Sequence, residues 1–345
     1  MTIDVSICLP VMNGEKYLEE ALSSVLSQPF RDFELLINDD CSDDSSWSII
    51  QRFAAQDERI TARRNSKRLG LFENYNEIIE RSKGQLIKPF AQDDLLAPQA
   101  LKSMVQAMRG NASAIMVSCK RSLIGQNPGE IVNRLMETGM ADALDVDQAT
   151  LLSGLSTGKS VIEACLKNYR NLVGEPVTVM FRRNDNAMKF DCQYLSLGDL
   201  DLWLRLLESG DFVFIDQPLV QFRQHKASQT QRLLNDVDWV LDFLRLSRVY
   251  EKHLIDLRID RAEYCAKFVD LAAPLVAANV AKNREYIDSL SPHKELAYYL
   301  LRRLPRAIDG ENNYNAVLQS TSWKLTKPVR AISKKLGGKK TLEQR

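Results

Sequence analysis

Two pairs of adjacent carboxylates each stand directly behind a short apolar run: Asp39-Asp40 after Glu34 to Asn38, and Asp93-Asp94 after Leu86 to Phe90. Carboxylates at a strand end suit Mg²⁺ or Mn²⁺, hard cations that prefer oxygen ligands and bridge readily to phosphate oxygens. They can also accept hydrogen bonds from a ribose hydroxyl or a base N–H. Either pair serves equally as a turn or a helix cap, beside Ser42 and Asp43 or ahead of Pro98, so neither decides anything alone. A third acidic pair, Asp199 and Asp201, opens an amphipathic segment that also carries Trp203 and Arg205. Their i, i+2 spacing turns the two carboxylates different ways on a helix, so that one can face a crevice while the other steadies the helix start. Arg223-Gln224-His225 completes the set, and His225 is one of three histidines in the chain. A lone histidine is usually structural, yet at a strand end in a polar loop it also suits a metal or diphosphate contact.

The elements around these groups place them. Val5 to Pro10 reads as a buried strand running into the loop Val-Met-Asn-Gly, and Tyr17 to Leu26 repeats at helical spacing until Pro29. A strand at Glu34 to Asn38 follows, then a helix from Ser42 to Ala55, a weak strand at Ile60 to Arg63 and a helix through Phe72, Tyr75 and Ile79. Leu86 to Phe90, the helix Leu101 to Met108 and Ala114 to Ser118 continue the alternation, which implies a doubly wound α/β sheet. Asn13, Asp39-Asp40 and Asp93-Asp94 then all sit beyond carboxyl ends of strands, where such sheets bind ligands. Residues 126–174 break the rhythm as a mostly helical insertion. An extended run at Val177 to Arg182, a helix at Leu200 to Leu207 and strands at Phe212 to Ile215 and Leu219 to Arg223 follow. Gly154 to Ser160 resembles a phosphate-binding loop, but it has three residues between its glycines where four are needed and no apolar strand before it.

Composition narrows the class. The chain of 345 residues is 45% apolar and 26% charged with a net charge of +1, an ordinary globular balance that gives no case for nucleic acid. From Thr321 to Arg345 eight basic residues face only Glu343. That tail of +7 against +1 for the whole leaves −6 for the first 320 residues, and it points to an anionic surface as partner. Six cysteines without a CxxC pair, no basic and apolar leader and no apolar run near the ~20 residues of a spanning helix predict reduced, mostly buried thiols in a cytoplasmic protein.

Taken in order, these motifs resemble the family 2 inverting glycosyltransferases of the GT-A fold, in the type that builds bacterial surface polysaccharide. The resemblance runs over about residues 3 to 230. It is carried by Val5-Ser-Ile-Cys-Leu-Pro-Val-Met-Asn-Gly14, Ala21 to Gln28, Phe33 to Ser42, Asn65, Gly70, Asn74, Gly84, Phe90-Ala-Gln-Asp-Asp94, Gly174-Glu-Pro176, Phe181-Arg182, Gly198 to Arg205 and Arg223-Gln-His225. It implies a nucleotide-diphospho-sugar transferase domain over 1–230 with a doubly wound mixed sheet, a helical region over 231–320 and a basic amphipathic tail over 321–345. Pro10, Asn13, Glu15, Asp40, Arg68 and Asp93 would bind the donor, and Asp94 with His225 would hold a divalent cation, Mn²⁺ or Mg²⁺. Asp199 would be the catalytic base, with Glu175, Asp201, Trp203 and Arg205 on the acceptor side. Ala91 stands where many members carry a first acidic metal-motif residue, and Gly198 replaces a frequent Glu before the base.

The implied reaction moves a sugar from a nucleoside-diphosphate sugar to a saccharide or lipid-linked saccharide. One carboxylate suffices to take the acceptor's proton in a single inverting displacement, and a cation neutralises the leaving diphosphate. A nucleotidyltransferase would also use strand-end aspartates and a metal, but it would show a Gly-rich basic loop after the first strand. A non-catalytic nucleotide-sugar binder would not need both Asp94 and Asp199. The tail, with Val329, Ile332 and Leu336 at helical spacing among basic residues, would seat the protein on the inner face of the plasma membrane.

Overall fold

The computed structural model describes residues 3–125, 154–184, 188–225, 238–265 and 267–268. The tail 321–345 and much of the expected insertion and helical region lie outside the described residues.

Strands β1 (Val5–Val11) and β2 (Phe33–Asp39) are buried at every position. A parallel strand covered on both faces has no side to give to water, which is why these two read as near-continuous apolar runs. Strands β3 (Ile60–Arg64) and β4 (Leu86–Pro89) flank them in parallel, giving the order β3-β2-β1-β4. Beyond β4 the sheet turns mixed. β8 (Val179–Arg182) runs antiparallel between β4 and β6 (Ala114–Gly125). β9 (Asp211–Gln224) lies parallel to β6, and β5 (Leu95–Leu96) and β7 (Gly154–Ser156) pair antiparallel with β9. The carboxyl ends of β1, β2, β4, β6 and β9 therefore share one rim, and the reversed β8 brings its amino end to the same rim.

Alternation sorts the strand residues onto two faces. Ile7, Leu9, Leu35 and Ile37 meet the helices α1 (Leu18–Leu26), α2 (Ser46–Ala54) and α4 (Ala100–Gly110) on one side. Cys8, Leu36 and Ile87 meet α3 (Leu71–Arg81), α5 (Gly158–Lys167) and α6 (Gly198–Leu207) on the other. The helices α7 (Asp238–Val249) and α8 (Glu251–Asp256) join that second core, where Val240, Phe243, Leu246 and Leu254 cluster with Trp203 and Phe181. The described part of the region after 231 thus packs directly on the sheet domain.

The elements depart from the sequence pattern where polar residues interrupt it. The expected strands Phe212 to Ile215 and Leu219 to Arg223 are one strand, bent at exposed Asp216 to Pro218, where the pairing register with β6 slips. β6 continues past Ser118 to Gly125 through half-buried polar side chains. The run from Val177 divides into a 3-10 turn, Pro176–Thr178, and β8. Helix α2 begins at Ser46, four residues later than its pattern, because Ser42 to Ser45 are tied to the loop after β1. The phosphate-loop look-alike is strand β7 and the capped start of α5. Thr157 Oγ1 accepts from Ser160 N at 3.3 Å, and Lys159 pairs with Asp256 at 3.0 Å. All six thiols are free, but only Cys8, Cys119 and Cys165 are buried, fewer than expected. Among the described residues no helix is long and apolar enough to cross a membrane.

Candidate active site

The three loops converge, and they are sewn together by side chain to backbone bonds. Asn13 N donates to Ser42 Oγ at 2.9 Å and Gly14 N to Ser46 Oγ at 2.8 Å. In return Asp43 N donates to Asn13 Oδ1 and Ser45 N to Glu15 Oε2, both at 2.9 Å. Gln92, from the loop after β4, accepts from Met12 N at 2.8 Å and donates to Met12 O at 3.1 Å. Asn13 holds a left-handed backbone (φ 52°) that asparagine tolerates better than most residues.

Several residues expected at the donor are engaged within the protein. Pro10 is buried inside β1 opposite Asn38, so its ring offers a nucleotide no surface. Arg68 is ion-paired with Asp43. Asp40 is buried and accepts from Asn65 Nδ2, Leu69 N and Gly70 N at 2.9, 2.8 and 2.9 Å. Its neighbour has the unpartnered oxygen. Asp39 Oδ2 accepts from Ser42 N and Arg64 Nε at 3.2 and 3.0 Å, while its buried Oδ1 has no partner among the described residues. Consecutive residues leaving a strand point opposite ways, and the sequence does not say which one faces the 65–70 segment.

At the second acidic pair, Asp94 is 2% exposed and accepts from Arg223 N at 2.7 Å. Arg223 Nε donates to Asp93 O at 2.8 Å, its guanidinium lies 4.5 Å above the Tyr17 ring, and it pairs with Glu20 at 2.6 Å. His225 Nε2 lies 2.8 Å from Asp93 Oδ2. The imidazole therefore meets Asp93, the neighbour of Asp94. Burial first, and the adjacent Asp93 charge second, hold the Asp94 carboxyl well above the usual carboxylate range.

Opposite these loops stands Asp199, in the first turn of α6. Its Oδ1 accepts from Leu200 N at 2.7 Å and its Oδ2 from Asn171 Nδ2 at 3.2 Å. Burial pushes the carboxyl up to about 7, against the Leu200 N–H and helped by Glu175 and Asp242. Asn171 also binds Gly174 on both sides, accepting from its N–H and donating to its carbonyl, each at 3.0 Å. Glu175 next to it pairs with Arg121 at 2.8 Å. The other three residues expected on the acceptor side make contacts within the protein. Trp203 is fully buried and donates to Gly174 O at 3.0 Å, so it supports the Glu175 turn from beneath. Asp201 is buried against Arg205 at 2.9 Å, and Arg205 reaches Lys189 O at 2.7 Å. Gly198, where a Glu is common, is required by packing, because a Cβ there would lie 2.7 Å from the Phe72 ring.

Asn171, Gln92 and Lys88 carry no motif that would have found them, except that a lysine inside the strand run Leu86 to Phe90 is itself unusual. Lys88 is fully buried and donates to Pro89 O at 2.8 Å and to Val177 O, linking β4 to the turn before β8. Burial lowers its amine to about 7.

The donor set tests the implied cation. Among the described residues no three acidic, His or Cys side chains gather to cage a metal. The buried Asp94 carboxylate with the Asp93–His225 pair beside it still fits Mg²⁺ or Mn²⁺, which take one or two protein carboxylates and complete their shell with phosphates and water.

The model of the family described as glycosyl transferase family 2 matches residues 6–182. An uncharacterised protein of Mycobacterium tuberculosis is 28% identical over 70% of this chain and 74% of its own length. A Campylobacter jejuni protein described as GalNAc(5)-diNAcBac-PP-undecaprenol beta-1,3-glucosyltransferase is 21% identical over 81% of this chain and 84% of its own. Among solved structures, Staphylococcus aureus TarS 1-349 in complex with UDP-GlcNAc superposes with a TM-score of 0.57 at 15% identity, covering 88% of this chain and 82% of that one. These proteins are what the chain is similar to, and the structural likeness bears on the GT-A fold.

Proposed function

The chain belongs to glycosyl transferase family 2, and from that premise we propose that it moves a sugar from a nucleoside-diphosphate sugar to a hydroxyl of a saccharide or lipid-linked saccharide, with Asp199 as the base. The observation that supports this most is Asp199 itself. Its carboxyl is held near pH 7 by burial, oriented by Asn171, and set at the sheet rim facing the strand-end loops. A base whose pKa lies near the working pH combines the ionised form with a useful proton affinity.

In this reading the donor's nucleoside lies over the loops after β1 and β2. The diphosphate lies toward Asp94, Asp93 and His225. A divalent cation bound there through Asp94 would neutralise charge on the departing diphosphate. Asp199 takes the proton of the acceptor hydroxyl as the oxygen attacks the anomeric carbon, and the single displacement inverts that carbon. The Campylobacter relative, named for a lipid-linked saccharide, supports an acceptor of that class, and a place in surface-polysaccharide synthesis is part of the same proposal. Segment 321–345 would draw the enzyme to an anionic membrane face.

Asp199→Asn tests the reading. It keeps the shape and the bonds from Leu200 and Asn171 but cannot take a proton. Single-turnover transfer should fall by roughly 10²–10⁴-fold with donor affinity near wild type. Asp201→Asn is the control and should lose far less rate. An active Asp199→Asn enzyme would remove the base from this site.

A further inference from the structure

We infer that Asp242, on helix α7 after the catalytic core, is a positioning residue for Asp199, so that the helical segment following the sheet domain is part of the machinery of transfer. The inference rests on the reading of Asp199 as the base. Asp242 Oδ2 accepts three successive backbone N–H groups, from Leu195 at 2.9 Å, Ser196 at 2.6 Å and Leu197 at 2.9 Å. Those residues lead directly into α6, whose first turn carries Asp199.

The first turn of α6 has no side-chain cap of its own: Leu197 holds the N-cap position and makes no side-chain bond there. A carboxylate collecting consecutive amides supplies the anchor instead, through the charge-assisted bonds that a row of N–H groups offers an anion. Asp242 is 3% exposed, so water cannot readily replace it. One turn further along α7, Arg245 donates to Gln193 O at 2.6 Å and Gln193 Oε1 at 2.9 Å, and it lies 5.2 Å from the Tyr194 ring. Asp242 and Arg245 together grip residues 193–197 from one face of α7. Val240, Phe243 and Leu246 fix that helix in the core it shares with Trp203. The anchor lies beyond the residues matched by the family model, which end at 182.

The same carboxylate also acts on the base through space. Asp199 faces Asn171 and Glu175 from the segment before β8, the Leu200 N–H of its own helix, Tyr75 of α3 and Asp242 of α7. Glu175 and Asp242 both disfavour the ionised base.

Asp242→Ala and Asp242→Asn in the full chain test the inference. Losing the anchor should slow single-turnover transfer about tenfold to a hundredfold, since a shift of about 1 Å in a reacting group can cost that much. The donor KM should stay within about twofold, and Asn, which keeps one acceptor oxygen, should retain more rate than Ala. The acid limb of the rate profile should move to lower pH, because one negative charge facing the base is gone. Amide hydrogen exchange at Leu195 to Leu197 should quicken in both variants. Transfer within about twofold of wild type, unchanged exchange, or a rate loss matched by the donor KM with an unmoved acid limb would each overturn the inference. If Asp242→Ala does not fold, Asp242→Asn gives the same readouts. The exchange measurement does not depend on which residue is the base. Faster exchange beside a fully active Asp199→Asn enzyme would retire the base assignment and show the anchor as structural only.

Discussion

The two walls of the crevice are held by different means. On the donor wall, Met12, Asn13, Gly14 and Glu15 exchange bonds with Ser42, Asp43, Asp44, Ser45, Ser46 and Gln92, so each loop is tied at several points and no single bond decides its position. On the base wall, the Gly174 carbonyl hangs on Asn171 and Trp203, and the three successive amides Leu195 to Leu197 leading to Asp199 share the single carboxylate of Asp242. A redundant network loses a fraction of its strength when one member goes, whereas a singly held segment loses its geometry. The donor wall should therefore absorb substitutions as small stability losses, and the base wall should convert them into lost rate.

The largest expected effect lies at the exception on the donor wall, Asp94, whose buried carboxylate accepts from the backbone of Arg223 and takes no part in the ties between the loops after β1 and β2. Asp94→Ala should abolish transfer and remove the thermal stabilisation that nucleotide sugars give with Mn²⁺, a shift that binding to the folded state produces by mass action. Full transfer in the variant, or in EDTA, would show that the donor is held without a cation at Asp94.

A second effect sharpens the base wall through pH. Asp199 works only when ionised, so the wild-type rate should fall about tenfold per unit as pH drops below about 7. The same shift costs stability. Its folded pKa lies above the ordinary value of 3.8, so between those two values the folded state holds a proton that the unfolded state has released. Stability contributed by this group therefore declines as pH rises from about 4 to 7. Asp199→Asn should melt higher than wild type at pH 8, and the gap should close toward pH 4. A melting temperature that does not respond to the substitution at any pH would place Asp199 in water.

The smallest effect belongs to the sewn loops. Gln92→Ala removes two bonds to Met12 at a half-buried position. It should lower unfolding stability by about 1 kcal/mol in denaturant titration, with transfer almost unchanged. A tenfold rate loss in this variant would break the contrast between the walls.

The same division governs what the sequence made legible. β1, β2 and β4 were readable because burial on both faces leaves an apolar run, and the convergence of Asn13, Asp39-Asp40 and Asp93-Asp94 followed from strand alternation alone. Asp199 and Asp201 were readable as groups pointing apart. That Asp40, and not Asp39, takes the bonds of the 65–70 segment is something no local pattern reports. Trp203 and Asp242 act across tens of residues on backbone groups that carry no side-chain signature, and Asn171 reaches the Asp199 side chain from as far away. Trp203 therefore read as an acceptor contact, when its indole is a strut under Gly174. His225 was legible as a strand-end histidine, but its partner depended on how β5 lays Asp93 against the end of β9.

The close approach of Phe72 to Gly198 has a consequence for how this sequence can diverge. The Phe72 ring is stacked on Phe190 at 5.3 Å and cannot swing aside freely, and any side chain at 198 would need the space it fills. A side chain at 198 therefore needs a smaller residue at 72, whereas residue 72 can shrink beside Gly198. A chain that carries Glu before the base must also carry a smaller residue at 72, so a large aromatic at 72 and an acid at 198 should not occur together.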